Sequence, residues 1–292
     1  MRHAFIILAH GKFSQLDILL NALEDEDFDI YLHIDALANV PEGYIDSIKA
    51  EHKNLILLPR KTLYWGDISL VEAELDAFKN ILDAGKAYSH IHLLSGQDLP
   101  LKSPQEIKAV FATKSGQQFI DIKPKAKTNY PHVRCWIPLP KYLKYKSGSH
   151  IKYRLLKIVN QLAYIGEKVF LMPKWRGLDY DYKMSSQWVS ITPSAAEFLV
   201  SRRNEILKRY AHAFAPDEFF LASELWNSSF KENIIQDNLR YIKWGAAHSP
   251  HPFVIEMKNY DEMLSSGALF ARKFDIDIDK EVIQALFRNG TD

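Results

Sequence analysis

The sequence contains a single cysteine, Cys135, among its 292 residues. One cysteine cannot form an internal disulfide and cannot supply a cysteine-based zinc site, so neither kind of scaffold is expected. The apolar run near the N-terminus, residues 4–9, is too short for a signal-peptide core or a membrane span. We therefore predict a cytoplasmic protein, which is either free or attached peripherally to the inner face of the cytoplasmic membrane.

An excess of charge of either sign is also missing, because the formal net charge is +1 at pH 7. Without a strong positive field, nucleic acid is not an expected partner. Neither Gly-x-Gly-x-x-Gly nor Gly-x-x-x-x-Gly-Lys-Ser/Thr occurs, and His-Glu-x-x-His and Gly-x-Ser-x-Gly are absent as well. These absences argue against a dinucleotide-dependent dehydrogenase, a P-loop enzyme, a metalloprotease of that type and an α/β-hydrolase.

Strand-like and helix-like segments alternate along the first half of the chain. Ser69 and Ser103 are the predicted N-caps of two of the helices, and Gly85 is a predicted helix stop. This alternation predicts a mostly parallel sheet with helices on both faces. The predicted strands are 4–10, 29–35, 54–60 and 89–96, and the predicted helices are 14–25, 44–52, 69–85 and 103–113.

The second half is less regular, and no Gly/Ser-rich hinge separates it from the first. We therefore predict one domain over residues 1–292. Its predicted strands are 186–192 and 239–244, and its predicted helices are 193–214 and 216–226.

Four segments rich in His, Asp, Arg, Trp and Gly follow the predicted strands of the first half. Open parallel sheets bind ligands at the carboxyl ends of their strands, so these segments are the expected site. They are residues 8–12, 33–36, 58–66 and 94–100.

Three acidic strings, at 25–27, 179–181 and 275–279, have the Asp-x-Asp pattern that could hold a divalent ion. The first lies at a predicted helix end and the last lies close to the C-terminus. Only 179–181 has a suitable position, and there a surface loop is the favoured interpretation over a metal site.

Asp217 and Glu218 follow Pro216 in the predicted first turn of a helix. They either complement the helix dipole or include a general base, and burial and the dipole would shift a pKa there in opposite directions. Trp65 raises a similar choice between a flat face for a ligand and a core side chain.

Near the C-terminus, Arg272 and Lys273 stand between Phe270 and Phe274. Two cations in an apolar setting need an anion to meet them. The sequence alone does not name that anion.

Eight fragments, in order, resemble the core-2/I-branching family of β-1,6-N-acetylglucosaminyltransferases, to which the peptide xylosyltransferases are related. The resemblance extends from about Ala4 to Asp279. It implies a GT-A-type α/β fold with a Rossmann-like, mostly parallel sheet, a UDP-sugar donor, transfer with inversion and no metal or other cofactor. It also divides the domain into a nucleotide-binding half, 1–125, and an acceptor and catalytic half, 126–292. The fragments are FIILAH, YLHID, YWGDIS, LLSGQDLPL, SSQWVSI, PDEFFL, RYIKW and LFARKFD.

By position, the resemblance makes Glu218 the catalytic base and Lys273 the cation that neutralises the departing diphosphate. The diphosphate is then the anion for the cationic stretch. The implied donor contacts are Ile7, Asp35, Arg60, Trp65, Arg272 and Lys273, and the implied acceptor contacts are Asp121, Trp188 and Trp244.

The chain departs from the animal enzymes at one site position. Their second cation, an arginine, falls here at Phe253 or Pro252, and Arg272, His251 and Arg60 are the alternatives for its role. With one cysteine and no anchor, the chain is expected to be a bacterial relative that adds a sugar, GlcNAc by resemblance, to a surface polysaccharide or lipopolysaccharide precursor.

Two further alternatives concern partners. The basic, aromatic stretch 141–177 forms either a helix that faces the core or a surface that rests on anionic lipid near a lipid-linked acceptor. The function itself has two rivals, a xylosyltransferase or other UDP-sugar transferase on the same fold and a non-catalytic protein that binds a glycan or nucleotide.

Overall fold

The computed structural model describes residues 1–123, 180–244 and 252–288, together with isolated positions between 133 and 166. Of the predicted helix within 141–177, the structure describes eight residues between 155 and 166, and all eight are helical. The helix does not face the core there, because its apolar side chains are exposed: Leu155, Ile158, Val159, Leu162 and Ile165. Asp179 and His251 lie outside the described residues. Within the described part of the chain, no helix has both the length and the apolar composition to cross a bilayer.

A central sheet of seven strands forms the middle layer of the described structure, and it is mostly parallel. Parallel pairing joins β1 to β2 and β4, β2 to β3, and β6 to β8, whereas β7 is antiparallel to both of its neighbours. The order across the sheet is β3-β2-β1-β4-β7-β6-β8. The strands are β1 (Arg2–Ala9), β2 (Phe28–Ile34), β3 (Leu55–Leu57), β4 (Tyr88–Ser95), β6 (Gln118–Phe119), β7 (Ser190–Ile191) and β8 (Ile234–Ile235).

A second, smaller sheet carries the cationic stretch of the C-terminal region. It consists of β5 (Leu99–Pro100), β9 (Arg240–Ile242) and β10 (Phe270–Arg272). The central strand, β10, runs antiparallel to β5 and parallel to β9. Because β5 follows β4 closely, this sheet stands beside the carboxyl end of the central one.

Helices cover both faces of the central sheet, as the alternation predicts. Within the described residues they are α1 (Phe13–Ala22), α2 (Tyr44–Glu51), α3 (Ile68–Asp83), α4 (Pro104–Ala112), α5 (Pro193–Ser201), α6 (Arg203–Tyr210), α7 (Phe220–Trp226), α8 (Tyr260–Ser265) and α9 (Lys280–Arg288).

Alternate residues of β1 divide the core into two layers. Ile6 is buried with α3, α5 and α7 on one face, and Phe5 is buried with α1, α4 and the second sheet on the other. This division follows from the two-residue period of a strand that is buried on both faces. The α/β fold with a mostly parallel sheet is therefore confirmed.

Two details of the predicted helices need correction. Asp67, rather than Ser69, is the N-cap of α3, because its carboxylate accepts the Ser69 N–H at 3.1 Å. The Ser69 hydroxyl instead accepts the N–H of Tyr64 at 3.0 Å. The predicted helix 193–214 is broken at Arg202 into α5 and α6.

Candidate active site

A cleft of about 570 Å³ opens where the central strands β1, β2 and β4 end. This volume is of the size that small-ligand sites usually have. Seven of the ten predicted site residues line it, and the structure thus brings together side chains from both halves of the chain. They are Asp35, Trp65, Trp188, Glu218, Trp244, Arg272 and Lys273.

The other three predicted contacts do not line the cleft. Ile7 is fully buried in the core, and its main chain is paired with β2 and β4 on either side, so its side chain is not available to a ligand. Arg60 donates instead to the carbonyl oxygens of Asp35, Ala36 and Ala38. Asp121 forms an ion pair with Lys123, and it is Lys123 that lines the cleft.

Asp35 ties two loops together at the end of β2. Its carboxylate accepts the N–H of Leu37 at 2.7 Å and that of Leu63 at 2.9 Å. Since each carboxylate oxygen can accept more than one hydrogen bond, Asp35 can still accept a ligand hydroxyl or N–H. Arg60 braces the same loop from outside the cleft.

Arg272 is the most unusual cation of the site. Its guanidinium carbon lies 3.8 Å from the centre of the Trp188 ring, and only 8% of the residue is exposed. Nε is 3.6 Å from the carboxylate of buried Asp98, which is longer than a hydrogen bond. Among the described residues, neither Nε nor Nη1 of Arg272 has a hydrogen-bond partner. Burial lowers the pKa of the Arg272 guanidinium, and Asp98 acts in the opposite direction.

Asp98 is fixed by its own loop at the end of β4. It accepts the N–H of Ser95 at 3.0 Å and the Ser95 hydroxyl at 2.8 Å. This arrangement holds a negative charge behind Arg272 and keeps the guanidinium at the cleft wall. Sequence reasoning missed Asp98, although its loop lies within the polar segment 94–100.

Buried contacts hold the loop that presents Lys273. Phe270 and Phe274 are both fully buried, on either side of the two cations. Gln15 of α1 donates to the Phe274 carbonyl at 3.2 Å and accepts the Ile276 N–H at 2.9 Å. The phenylalanines and the glutamine therefore fix the main chain, while the Lys273 side chain lines the cleft.

The acidic string that follows has structural partners. Lys12 forms ion pairs with both Asp275 and Asp277. Asp279 caps the start of α9 by accepting the N–H of Val282 at 3.1 Å. The string 275–279 thus closes the C-terminal region onto the loop after β1.

Glu218 ends a short 3-10 turn, Pro216–Glu218, that precedes α7. Its carbonyl accepts the N–H of Ser185 at 2.8 Å. Ala215, the residue before the turn, has a left-handed backbone (φ 51°) and donates to the carbonyl of Gly66 at 3.0 Å. These bonds join the turn to two other segments of the cleft wall.

Glycine is required at position 66 for two reasons. Its φ is +76°, and a Cβ there would lie 2.8 Å from the ring of Phe214. The same ring packs edge-on against Trp65 with centroids 5.3 Å apart. Trp65 therefore contacts the core through Phe214 and lines the cleft as well, so the two interpretations of its role are compatible.

Beside Glu218 stands a second carboxyl, Asp217. It is 8% exposed, and its Oδ1 has no hydrogen-bond partner among the described residues. Burial and the neighbouring Glu218 charge raise the pKa of Asp217 to about 8. Behind it, Glu74 of α3 is fully buried and accepts the Gln187 amide at 2.8 Å.

At another part of the cleft wall, Trp244 is 48% exposed. The Lys123 ammonium lies 5.9 Å from the centre of its ring, within reach of a cation–π contact. An exposed indole of this kind offers a flat apolar surface to a sugar ring.

The acidic string at 179–181 is described only in part. Asp181 accepts a hydrogen bond from the indole of Trp226 at 3.1 Å and forms an ion pair with Lys183 at 2.8 Å. Within the described residues, no group of three or more His, Cys, Asp and Glu side chains is arranged to hold a metal ion.

Comparison with known proteins gives a match over most of the chain. The family model described as Core-2/I-Branching enzyme matches residues 3–264. Xylosyltransferase 2 of Canis lupus familiaris is 23% identical over 98% of this chain and 33% of its own length. Xylosyltransferase 1 of Homo sapiens is 20% identical over 98% of this chain and 30% of its own length. This chain thus spans about a third of the length of these relatives.

Among solved structures, the apo form of glycosyltransferase GlyE from Streptococcus pneumoniae aligns with 100% of this chain and 61% of its own, at 10% identity and a TM-score of 0.46. Mouse xyloside xylosyltransferase 1 aligns with 92% of this chain and 96% of its own, at 10% identity and a TM-score of 0.40.

Proposed function

The chain belongs to the Core-2/I-Branching enzyme family, and from that premise we propose that it is an inverting glycosyltransferase that uses a UDP-sugar. The observation that carries the proposal is that Glu218, Arg272 and Lys273 line one cleft. A base and two cations in one site meet the needs of an attack by a hydroxyl on a sugar diphosphate. The mostly parallel α/β architecture agrees with the GT-A-type fold that the resemblance implies.

In the proposed reaction, an acceptor hydroxyl attacks C1 of the donor sugar. A new C1–O bond forms, and the hydroxyl proton passes to the carboxylate of Glu218. The bond between C1 and the diphosphate oxygen breaks, and its electron pair leaves with UDP. Because attack and departure occur on opposite faces of C1, the configuration there inverts.

The charge on the leaving diphosphate is met by Lys273 and Arg272. Two nitrogen atoms of Arg272, Nε and Nη1, have no hydrogen-bond partner among the described residues, and charge-assisted bonds to phosphate oxygens would satisfy their N–H groups. We propose that Arg272 supplies the second cation that is absent at Phe253. Arg60 is a poorer candidate, because its side chain does not line the cleft and its Nη2 already donates to three carbonyl oxygens.

The remaining site residues divide between the two substrates. Asp35 and Trp65 lie at the ends of the first strands and are proposed to contact the nucleotide. Trp244 and Trp188 are proposed acceptor contacts. One face of the Trp188 ring is already covered by Arg272. We propose a glycan acceptor, of the kind found in surface polysaccharide or lipopolysaccharide synthesis.

Two donor sugars are worth separating by experiment. The resemblance favours GlcNAc, whereas the relatives of this chain are named as xylosyltransferases. Release of UDP from UDP-GlcNAc, UDP-xylose, UDP-glucose and UDP-galactose, with a panel of glycan acceptors, ranks the donors. If UDP is released specifically from UDP-xylose, the expected donor sugar, GlcNAc, is wrong and the proposed reaction class still holds.

The decisive test of the base is Glu218→Gln. We expect UDP affinity to change little and transfer to fall by about 10²- to 10⁴-fold, the usual contribution of a general base. Glu232→Gln, which alters an exposed carboxylate in the turn Ser229–Asn233, is the matched control. Turnover by Glu218→Gln near that of the control would refute the assignment.

A non-catalytic relative would behave differently. It would bind UDP or a glycan without transfer or donor hydrolysis over the whole panel. Independence from metal is also a proposal, and it predicts full activity in excess EDTA. Loss of activity that manganese restores would contradict it and would direct attention to Asp181 and its string.

A further inference from the structure

Three carboxyl groups run from the core to the cleft. Glu74 is fully buried in α3, Asp217 is almost buried in the 3-10 turn, and Glu218 is partly exposed beside it. The turn packs directly against α3. Two of the carboxyl oxygens, Oε2 of Glu74 and Oδ1 of Asp217, are buried without a hydrogen-bond partner among the described residues.

Few charges act on this set. Glu74 accepts a hydrogen bond from the neutral amide of Gln187. In α7, the other helix packed against the turn, the one titratable group is Glu224, which is paired with Arg202 and Arg209. The charges that act on Asp217 are those of Glu218 and Glu74. The cations Lys123, Arg272 and Lys273 line the same cleft, but none of the ion pairs among the described residues involves Asp217.

If Glu74, Asp217 and Glu218 were all ionised, their three negative charges would repel one another strongly, because little water reaches them. An isolated buried carboxylate loses several kcal/mol of hydration, and neighbouring carboxylates resolve the conflict by keeping protons. Of the three, Glu218 has the most contact with solvent, so a negative charge loses the least hydration there. Burial favours the protonated form of a carboxyl group, so Glu74 and Asp217, the two buried members of the set, are the ones expected to be neutral.

We propose that Asp217 is a positioning residue that keeps its proton at neutral pH and so confines the negative charge of the pair to Glu218. With one charge per pair, the base stays ionised while the anionic donor meets a single negative charge, rather than two, at this turn of the cleft wall. The role of Glu218 as base rests on the proposed function, but the protonation of Asp217 does not.

The first test needs no substrate. Wild type and Asp217→Asn are titrated potentiometrically between pH 6 and 10, with Asp46→Asn, an exposed carboxyl of α2, as the baseline control. The wild type should release about one proton more than Asp217→Asn, centred near pH 8. No difference above pH 6 would show that Asp217 is already ionised and would overturn the inference. Asp217→Ser replaces the asparagine variant if that one does not fold.

The second test is the pH dependence of transfer. At pH 9, one unit above a pKa of about 8, only about a tenth of the wild-type molecules keep the proton. We expect kcat/KM of the wild type to fall about tenfold from pH 7 to pH 9, and that of Asp217→Asn to fall clearly less. Equal falls in both proteins would contradict the positioning role, since a merely structural residue would lower activity at all pH values alike.

The two tests separate the proposals. If the proton release is found and no donor supports transfer, the proposed function fails and the protonated Asp217 stands. If transfer depends on Glu218 and the proton release is missing, the function stands and this inference fails.

Discussion

We expect the protein to lose stability in mild acid, because three of its histidines are buried. His3 of β1 and His90 and His92 of β4 are all fully buried. His3 Nδ1 lies 3.0 Å from His92 Nε2, and the rings of all three stack with centroids 5.2 to 6.3 Å apart. Burial lowers the pKa of His3 and of His90 to about 4, and lowers that of His92 well below its usual value.

The sign and size of the effect follow from these values. An unfolded histidine has a pKa near 6.5, so between pH 6.5 and 4 the unfolded chain binds more protons than the folded one. The stability is therefore fully present above pH 6.5 and is lost as the pH falls towards 4. From pH 7 to pH 5, each histidine lowers the free energy of unfolding by about 2 kcal/mol, so His3 and His90 together contribute about 4 kcal/mol.

Urea unfolding at pH 7 and pH 5, followed by circular dichroism, measures the difference. At pH 5 most carboxylates remain ionised, which keeps the histidine contribution distinct. His90→Gln can keep hydrogen bonds to Ser89 and the Gln117 carbonyl, the present partners of the imidazole. This variant should show a pH-dependent loss about 2 kcal/mol smaller than that of the wild type. Equal unfolding free energies of the wild type at the two pH values would refute the reasoning.

Three other predictions concern the cleft. Arg272→Met keeps an apolar contact with Trp188 but removes the positive charge. The Kd for UDP, measured by calorimetry, should therefore rise about 10- to 100-fold. An unchanged Kd would exclude Arg272 from the diphosphate site. Trp244→Ala should raise the KM for the acceptor and leave the UDP Kd within about twofold, and the reverse pattern would place Trp244 with the donor. Gln15→Ala leaves the Phe274 carbonyl and the Ile276 N–H without their buried partner. The free energy of unfolding, measured in urea, should therefore fall by about 1–3 kcal/mol. An unchanged free energy of unfolding would contradict the proposed anchoring of the loop that carries Arg272 and Lys273.

Local signals explain the parts of the fold that the sequence predicts well. Ser103 and Glu106 form a reciprocal capping box at the start of α4, with Pro104 in its first turn, so this helix begins where its residues indicate. The strands β1, β2 and β4 are seven or eight residues long, so each of them is long enough to show its own run of apolar residues. The site segments could likewise be placed, because the ends of parallel strands meet at one edge of the sheet.

Tertiary contacts explain the parts that the sequence leaves open. The strands β6, β7 and β8 have only two residues each, too few to show a period. The predicted helix 193–214 breaks at Arg202, where this residue and Arg209 both reach the buried carboxylate of Glu224. Asp98 acts through Arg272, which is far away in sequence, so no local pattern could reveal it.

Arg272 carries the strongest structural argument for an anion in the cleft. A guanidinium buried for stability alone would be expected to satisfy its donors within the protein, since a buried unsatisfied donor costs about 1–3 kcal/mol. Here Asp98 lies near enough to balance the charge but, at 3.6 Å from Nε, too far to form a good hydrogen bond. Trp188 covers one face of the cation and offers no acceptor for the N–H groups of Nε and Nη1, which lack partners among the described residues. A phosphate at the cleft wall would satisfy these donors, and the buried guanidinium is therefore better explained by a ligand than by packing.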